Sequence, residues 1–260
     1  MYAYLEEFWQ HRELTRSFAM RDIKARYKQT ALGAAWAILQ PFSLMVVFTL
    51  VFSHFVQVPT NGVPYPIFSY SGLIFWSFFA TTISQGTAAI VANANLVRKI
   101  YFPRETLLVS IILSAAVDLG IAAVIFGAML VYYKVALSWA ILWVPVLLLV
   151  QAVFALSVVC ITAALNVGLR DVGHAIPLLL QLWMFATPVA YPLDIVPHAL
   201  RPLYELNPMT TVIEGYRRAI LQGVAPDLPD LAIAVAITGV LLAVGYSYFK
   251  RSEATFADVI

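Results

Sequence analysis

Charge is what this sequence has least of. Only 12% of its 260 residues are Asp, Glu, Lys or Arg, where a soluble domain carries about a quarter. Cysteine occurs once, as Cys160 inside an apolar run, which excludes a disulfide framework and a cysteine-based metal cluster. The histidines His11, His54, His174 and His198 are scattered without metal-ligand spacing. No Gly-x-x-x-x-Gly-Lys-Ser/Thr loop is present, so the chain cannot cradle nucleotide phosphates in that way. No Ser/His/Asp order forms a recognisable motif, and neither an internal repeat nor a second domain is legible. The opening MYAYLEEFWQHRELTRSFAMRDIKARYKQ has charge throughout and no early apolar core, so it does not read as a cleavable signal peptide. Catalysis is not expected of this chain. Nor is a bound metal, a cofactor or a nucleic-acid partner.

What the sequence does have is apolar length. It is 62% hydrophobic, with a mean hydropathy of +0.83. An all-α polytopic membrane protein built as one membrane domain is the direct reading. A membrane helix needs about 20 apolar residues to cross the roughly 30 Å hydrocarbon layer. Six segments qualify: 34–56, 67–91, 106–132, 139–165, 176–191 and 231–249. The fifth is short and ends in TPVAYP. Six crossings put both termini on one side. Arg12, Arg16, Arg21, Lys24, Arg26 and Lys28 precede the first span. Arg98, Lys99, Arg104, Arg170, Lys250 and Arg251 fall on the same side, against Lys134, Arg201, Arg217 and Arg218 on the other. The positive-inside rule makes the termini cytoplasmic, and the inner, cytoplasmic membrane is the expected host.

Two polar segments are expected to lie at the interfaces. In residues 1–33, Leu5, Phe8 and Trp9 share a helical face, as do Leu14 with Phe18 and Ile23 with Tyr27, but the groups form no common stripe. A broken interfacial amphipathic helix, with its cations among membrane lipid headgroups, is expected; a solvated arm is the alternative. Between the fifth and sixth spans, Asn207-Pro208 reads as a helix start. Met209, Val212, Ile213, Tyr216 and Ile220 then recur on one face, with Glu214, Arg217, Arg218 and Gln222 mainly on the other. This predicts an amphipathic or re-entrant outer helix that caps a pathway, or else a surface lid.

Asp118 is the one carboxylate near the middle of a span, where charge costs about 2.5–3.5 kcal/mol and marks a functional site by default. Without a visible partner it supports an ion-coupled carrier poorly; a buried hydrogen-bonding role, protonated or not, is the alternative. Gln151 and Gln181 read as interhelical hydrogen bonders. Sugars stack their C–H faces on aromatic rings, so Phe48, Phe52, Trp183 and Phe185 are candidate channel-lining residues, together with Asp118. For any single ring, a lipid-facing or core position is the first reading and channel lining the second.

Four stretches, in order, resemble one family. RDIKARYKQTALGAAWAILQP (21–41), VRKIYFPRETLL (97–108), LNVGLRDVGHAIPLLLQLWMFATPVAYP (165–192) and ELNPMT (205–210) are similar to segments of type-2 ATP-binding-cassette permeases that export polysaccharides. The resemblance implies a half-transporter: two copies forming a channel above two copies of a separate nucleotide-binding ATPase, which holds ATP and Mg. By position, Arg98, Lys99, Ile100, Tyr101, Phe102, Pro103, Arg104 and Glu105 would form the main coupling helix. Tyr101 and Phe102 would be its anchors in the ATPase. Asn166, Arg170 and Asp171 would serve a second contact, and Arg26, Tyr27, Leu32 and Gly33 an interfacial hinge. Asn207, Pro208, Tyr216 and Arg217 fall in the outer re-entrant region. The implied cargo is a lipid-linked O-antigen, capsular polysaccharide or teichoic acid. A drug or lipid exporter of the same fold is an alternative, and a membrane transferase on lipid-linked sugars lacks a convincing acid or histidine site.

Overall fold

The computed structural model describes residues 11–28, 33, 35–60 and 62–260. Regular backbone among them is helical, with no strand. The helices are α1 (Arg12–Lys28), α2 (Ala35–Phe48, continuing as π-helical turns over Thr49–Phe55), α3 (Tyr65–Ala92), α4 (Ala94–Lys99), α5 (Glu105–Tyr132), α6 (Trp143–Gly168, after a 3-10 turn at Trp139–Leu142), α7 (Asp171–Phe185), α8 (Arg201–Glu205), α9 (Pro208–Arg217), α10 (Leu228–Glu253) and α11 (Phe256–Val259). Five segments, Ala35–Ser53, Tyr65–Ala92, Glu105–Tyr132, Trp139–Gly168 and Leu228–Glu253, are long and apolar enough to cross a membrane. The protein is multi-pass.

Prolines mark where these helices begin and bend. Pro66 and Pro229 sit in the first turns of α3 and α10, and Pro208 opens α9, positions whose N–H groups would lack a helical partner anyway. Pro41 inside α2 and Pro177 inside α7 remove a backbone bond mid-helix. The segment expected to span at 176–191 differs from that reading. Its helix starts earlier, at Asp171, and stops at Phe185 after 15 residues. At about 1.5 Å per residue that is too short for the hydrocarbon layer, and residues 186–191 are turns and bends. Ala34, where the first span was expected to begin, lies outside the described residues, as do Leu5, Phe8 and Trp9.

α3 is the hub. It lies against α2, α5, α6, α7 and α9, while α10 packs chiefly on α6. The close approaches use small residues: a Cβ on Gly86 would fall 2.6 Å from the Val159 side chain, and one on Gly245 2.6 Å from the Ser157 carbonyl. At the centre Phe79 stacks on Phe154 at 5.3 Å, and Trp183 meets both rings edge-on at 5.2 and 5.9 Å.

The N-terminal helix is continuous from Arg12 to Lys28 rather than broken. It packs along α5. Phe18 meets Phe102, just before α5, edge-on at 5.8 Å, and Arg26 meets Asp118 well inside α5. Both contacts advance together, so the two helices run in the same direction. Packing the buried Phe18 and the partly buried Leu14 onto the core is what keeps α1 whole.

Candidate functional site

The α3–α5 connection is not one helix over 98–105. α4 ends at Lys99; Ile100 is extended (φ −131°, ψ 134°); α5 begins at Glu105. Pro103 accounts for the break, because a residue preceding proline disfavours helical geometry. Arg98, Lys99, Ile100 and Tyr101 are exposed, Ile100 at 56% and Tyr101 at 79%. Phe102 is 2% exposed, turned inward onto Phe18, so the expectation that both rings are outward anchors is corrected. Pro103 and Glu105 are also buried.

The second expected contact divides in the same way. Arg170 and Asp171 are exposed at the α6–α7 turn. Asn166 is buried as a clasp: its Nδ2 donates to the Thr87 carbonyl at 3.0 Å, and its Oδ1 accepts the Gly173 N–H at 2.9 Å. It shapes the turn and does not face outward.

Arg26, Tyr27 and Asp118 come together, which supplies the partner that Asp118 lacked in the sequence. Arg26 and the Tyr27 hydroxyl both donate to the Asp118 carboxylate. Arg26 also donates to Gln85 Oε1 at 2.6 Å and to Ser114 Oγ at 3.1 Å. Burial pushes the Tyr27 hydroxyl above its usual pKa, opposed by the Arg26 charge. Gly33 follows with φ 48°, in the left-handed region. Leu32 lies outside the described residues.

This cluster lines part of a cavity of about 250 Å³. A second cavity, of about 390 Å³, shares Gln40, Ser77, Thr81 and Gln85 with it and adds Ser84 and Gln181. Ser77, Thr81, Ser84 and Gln85 recur at helical spacing, so α3 turns an uncharged hydroxyl and amide stripe toward α2 and α7. Trp36 and Trp76 flank it. The expected lining rings are elsewhere. Phe48 is buried, Phe52 stacks on Tyr65, and Trp183 is in the central cluster. Phe185 is half exposed beside Phe48. Of the candidate lining residues only Asp118 borders these cavities. Sequence reading passed over the stripe because its members are single polar residues inside an apolar run. The signal was their i, i+4, i+7, i+8 spacing.

On the opposite face α9 begins as expected, with the Asn207 side chain accepting the Met209 N–H at 3.2 Å and Pro208 following it. Asn207 also donates to Thr187 Oγ1 at 2.9 Å. Met209, Val212, Ile213, Tyr216 and Ile220 are buried. Tyr216 stacks on Phe75 at 3.5 Å and donates to Gln151 Oε1 at 3.0 Å, while Gln151 donates to the Phe75 carbonyl at 2.7 Å. Arg217 departs from the expected polar face. It is 1% exposed, donates to the carbonyls of Pro188 (2.6 Å) and Val189, and lies 3.8 Å above the Phe68 ring. The carbonyls freed where α7 unravels are what hold it. Gly72 makes the room: a Cβ there would fall 2.9 Å from the guanidinium. No group of three or more His, Cys, Asp or Glu among the described residues could hold a metal ion.

Residues 13–221 match the protein family described as ABC-2 type transporter. The O-antigen export system permease protein RfbA of Myxococcus xanthus is 32% identical over 98% of each chain. A Klebsiella pneumoniae protein of the same description is 27% identical over 92% of each. The polysialic acid transport protein KpsM of Escherichia coli is 20% identical, over 90% of this chain and 91% of its own.

Proposed function

Because the chain belongs to the ABC-2 type transporter family, we propose that it is the membrane subunit of an ATP-driven exporter that carries a lipid-linked cell-surface polysaccharide across the cytoplasmic membrane. Relatives named for O-antigen export and polysialic acid transport support a glycan as cargo. With no nucleotide loop of its own, the chain takes its energy from a separate ATPase that holds ATP and Mg. Two copies of the chain line one conduit. The excess of Lys and Arg around the connections that begin and end the bundle sets both termini in the cytoplasm.

The observation that carries this reading is the stripe on α3. A sugar chain, neutral or acidic, is dense in hydroxyl groups. Ser77, Thr81, Ser84 and Gln85, with Gln40 and Gln181 opposite, offer donors and acceptors without charge. Such groups exchange hydrogen bonds with one sugar unit after another, favourable enough to admit the chain and weak enough to release it. On the cytoplasmic side, Arg98, Lys99, Ile100 and Tyr101 form the exposed contact for the ATPase.

Substitution along the stripe tests the proposal. Thr81 borders both cavities, so Thr81→Trp fills the path while Thr81→Ser keeps its chemistry. Glycan reaching the outer face, measured with surface-specific antibody or lectin, should fall about ten-fold or more for the Trp variant and stay near wild type for Ser. Undiminished export through Thr81→Trp would remove the stripe from the path.

A further inference from the structure

The first turn of α5 is capped from the far end of the chain. Arg104 is the residue before α5 and makes no side-chain cap of its own; the Thr106 and Leu107 N–H groups bond back to the Pro103 and Arg104 carbonyls, and the Arg104 N–H finds its acceptor elsewhere. Glu253, in the last turn of α10, supplies the acceptor. Its Oε1 takes the Arg104 backbone N–H at 3.3 Å and the Arg104 guanidinium at 3.4 Å. Lys250, one turn earlier, donates to Glu253 Oε2 at 2.8 Å and to Glu105 Oε2 at 3.0 Å. Tyr246 donates to the other Glu105 oxygen at 3.3 Å. Two cations and two carboxylates close a neutral cluster whose side chains are only 10–21% exposed.

The chain then turns back. In α11 Phe256 packs edge-on against Phe249 of α10 at 5.4 Å, and α11 lies against α4. The C-terminal segment therefore holds the helix on each side of Ile100 and Tyr101, which protrude between them. A push on those two residues would therefore reach the start of α5 and the end of α10 together. An unheld loop would bend and absorb it.

We propose that the end of α10 is a brace for the ATPase contact, with Glu253 and Lys250 as positioning residues that convert movement of the ATPase into movement of the spans. This rests on the exporter reading. The brace is distinct from the contact surface, because neither residue needs to touch the ATPase.

The test uses the full permease–ATPase complex in proteoliposomes, with co-purification, ATP hydrolysis and glycan translocation measured on the same preparation. Glu253→Gln should leave assembly and hydrolysis in place while glycan moved per ATP falls about ten-fold. The double variant R104Q/E253Q should be no worse than Glu253→Gln alone, since that single variant has already lost the Arg104–Glu253 ion pair. Wild-type coupling in Glu253→Gln, or additive losses in the double variant, would overturn the brace. So would a joint loss of assembly, hydrolysis and export, which marks a residue needed only for folding. Failure of the exporter reading looks different: the unsubstituted complex then shows no ATP-dependent glycan movement, and the brace loses its role with it.

Discussion

Tyr101 and Phe102 are adjacent in the sequence and opposite in environment. Tyr101 stands in solvent with Arg104 over its ring at 5.5 Å, while Phe102 is enclosed against Phe18. Tyr101→Ala should leave thermal unfolding in detergent unchanged and weaken co-purification of the ATPase. Phe102→Ala empties a buried site and should cost about 3–5 kcal/mol, read as a lowered unfolding midpoint before any effect on coupling. The mixture of cations and aromatics marked this segment in the sequence, but nothing there distinguishes two neighbouring rings. Their difference comes from Phe18, 84 residues away by number. Asp118 teaches the same lesson. Its position inside a span was legible, and its partners Arg26 and Tyr27 were not, because they lie on a helix that the apolar pattern did not tie to α5.

Elements were legible where one physical rule dominates. Apolar runs long enough for the bilayer matched the five helical segments long and apolar enough to cross it to within a few residues, and Asn207-Pro208 gave the start of α9. α7 shows the limit of that rule. Its apolar run continues through 186–191, yet the backbone unravels there and turns its carbonyls onto Arg217. That exchange of helical hydrogen bonds for a buried guanidinium requires α9 to fold over from the other side, which no local pattern encodes. Irregular backbone at this depth is stable only when protein covers it. Replacing Arg217 with Met should therefore strand several carbonyls and cost about 3–5 kcal/mol, measured as a lower unfolding midpoint. Arg217→Lys should restore little, since an ammonium cannot serve diverging carbonyls as a planar fork does. Full stability of Arg217→Met would contradict the clamp.

Seen whole, the molecule is tightly joined at α3 and open along its first and last spans. α2 buries only Pro41, Met45 and Phe48 within the chain, and most of its remaining surface is left for lipid or for a second copy. The hydroxyl and amide stripe on α3 faces α2 and α7, so a second copy seated on α2, as proposed, would border the same path. The proposed cargo class rests on family membership and on relatives named for O-antigen export and polysialic acid transport, and the proposed ATPase contact rests on the exposure of Arg98, Lys99, Ile100 and Tyr101. The most direct measurement is glycan translocation into proteoliposomes containing this chain, its ATPase, or both. Translocation should require both proteins and ATP, and an ATPase that binds but cannot hydrolyse ATP should abolish it. Glycan delivered by this chain without nucleotide, or steady ATP hydrolysis by the pair with no glycan moved, would contradict the account.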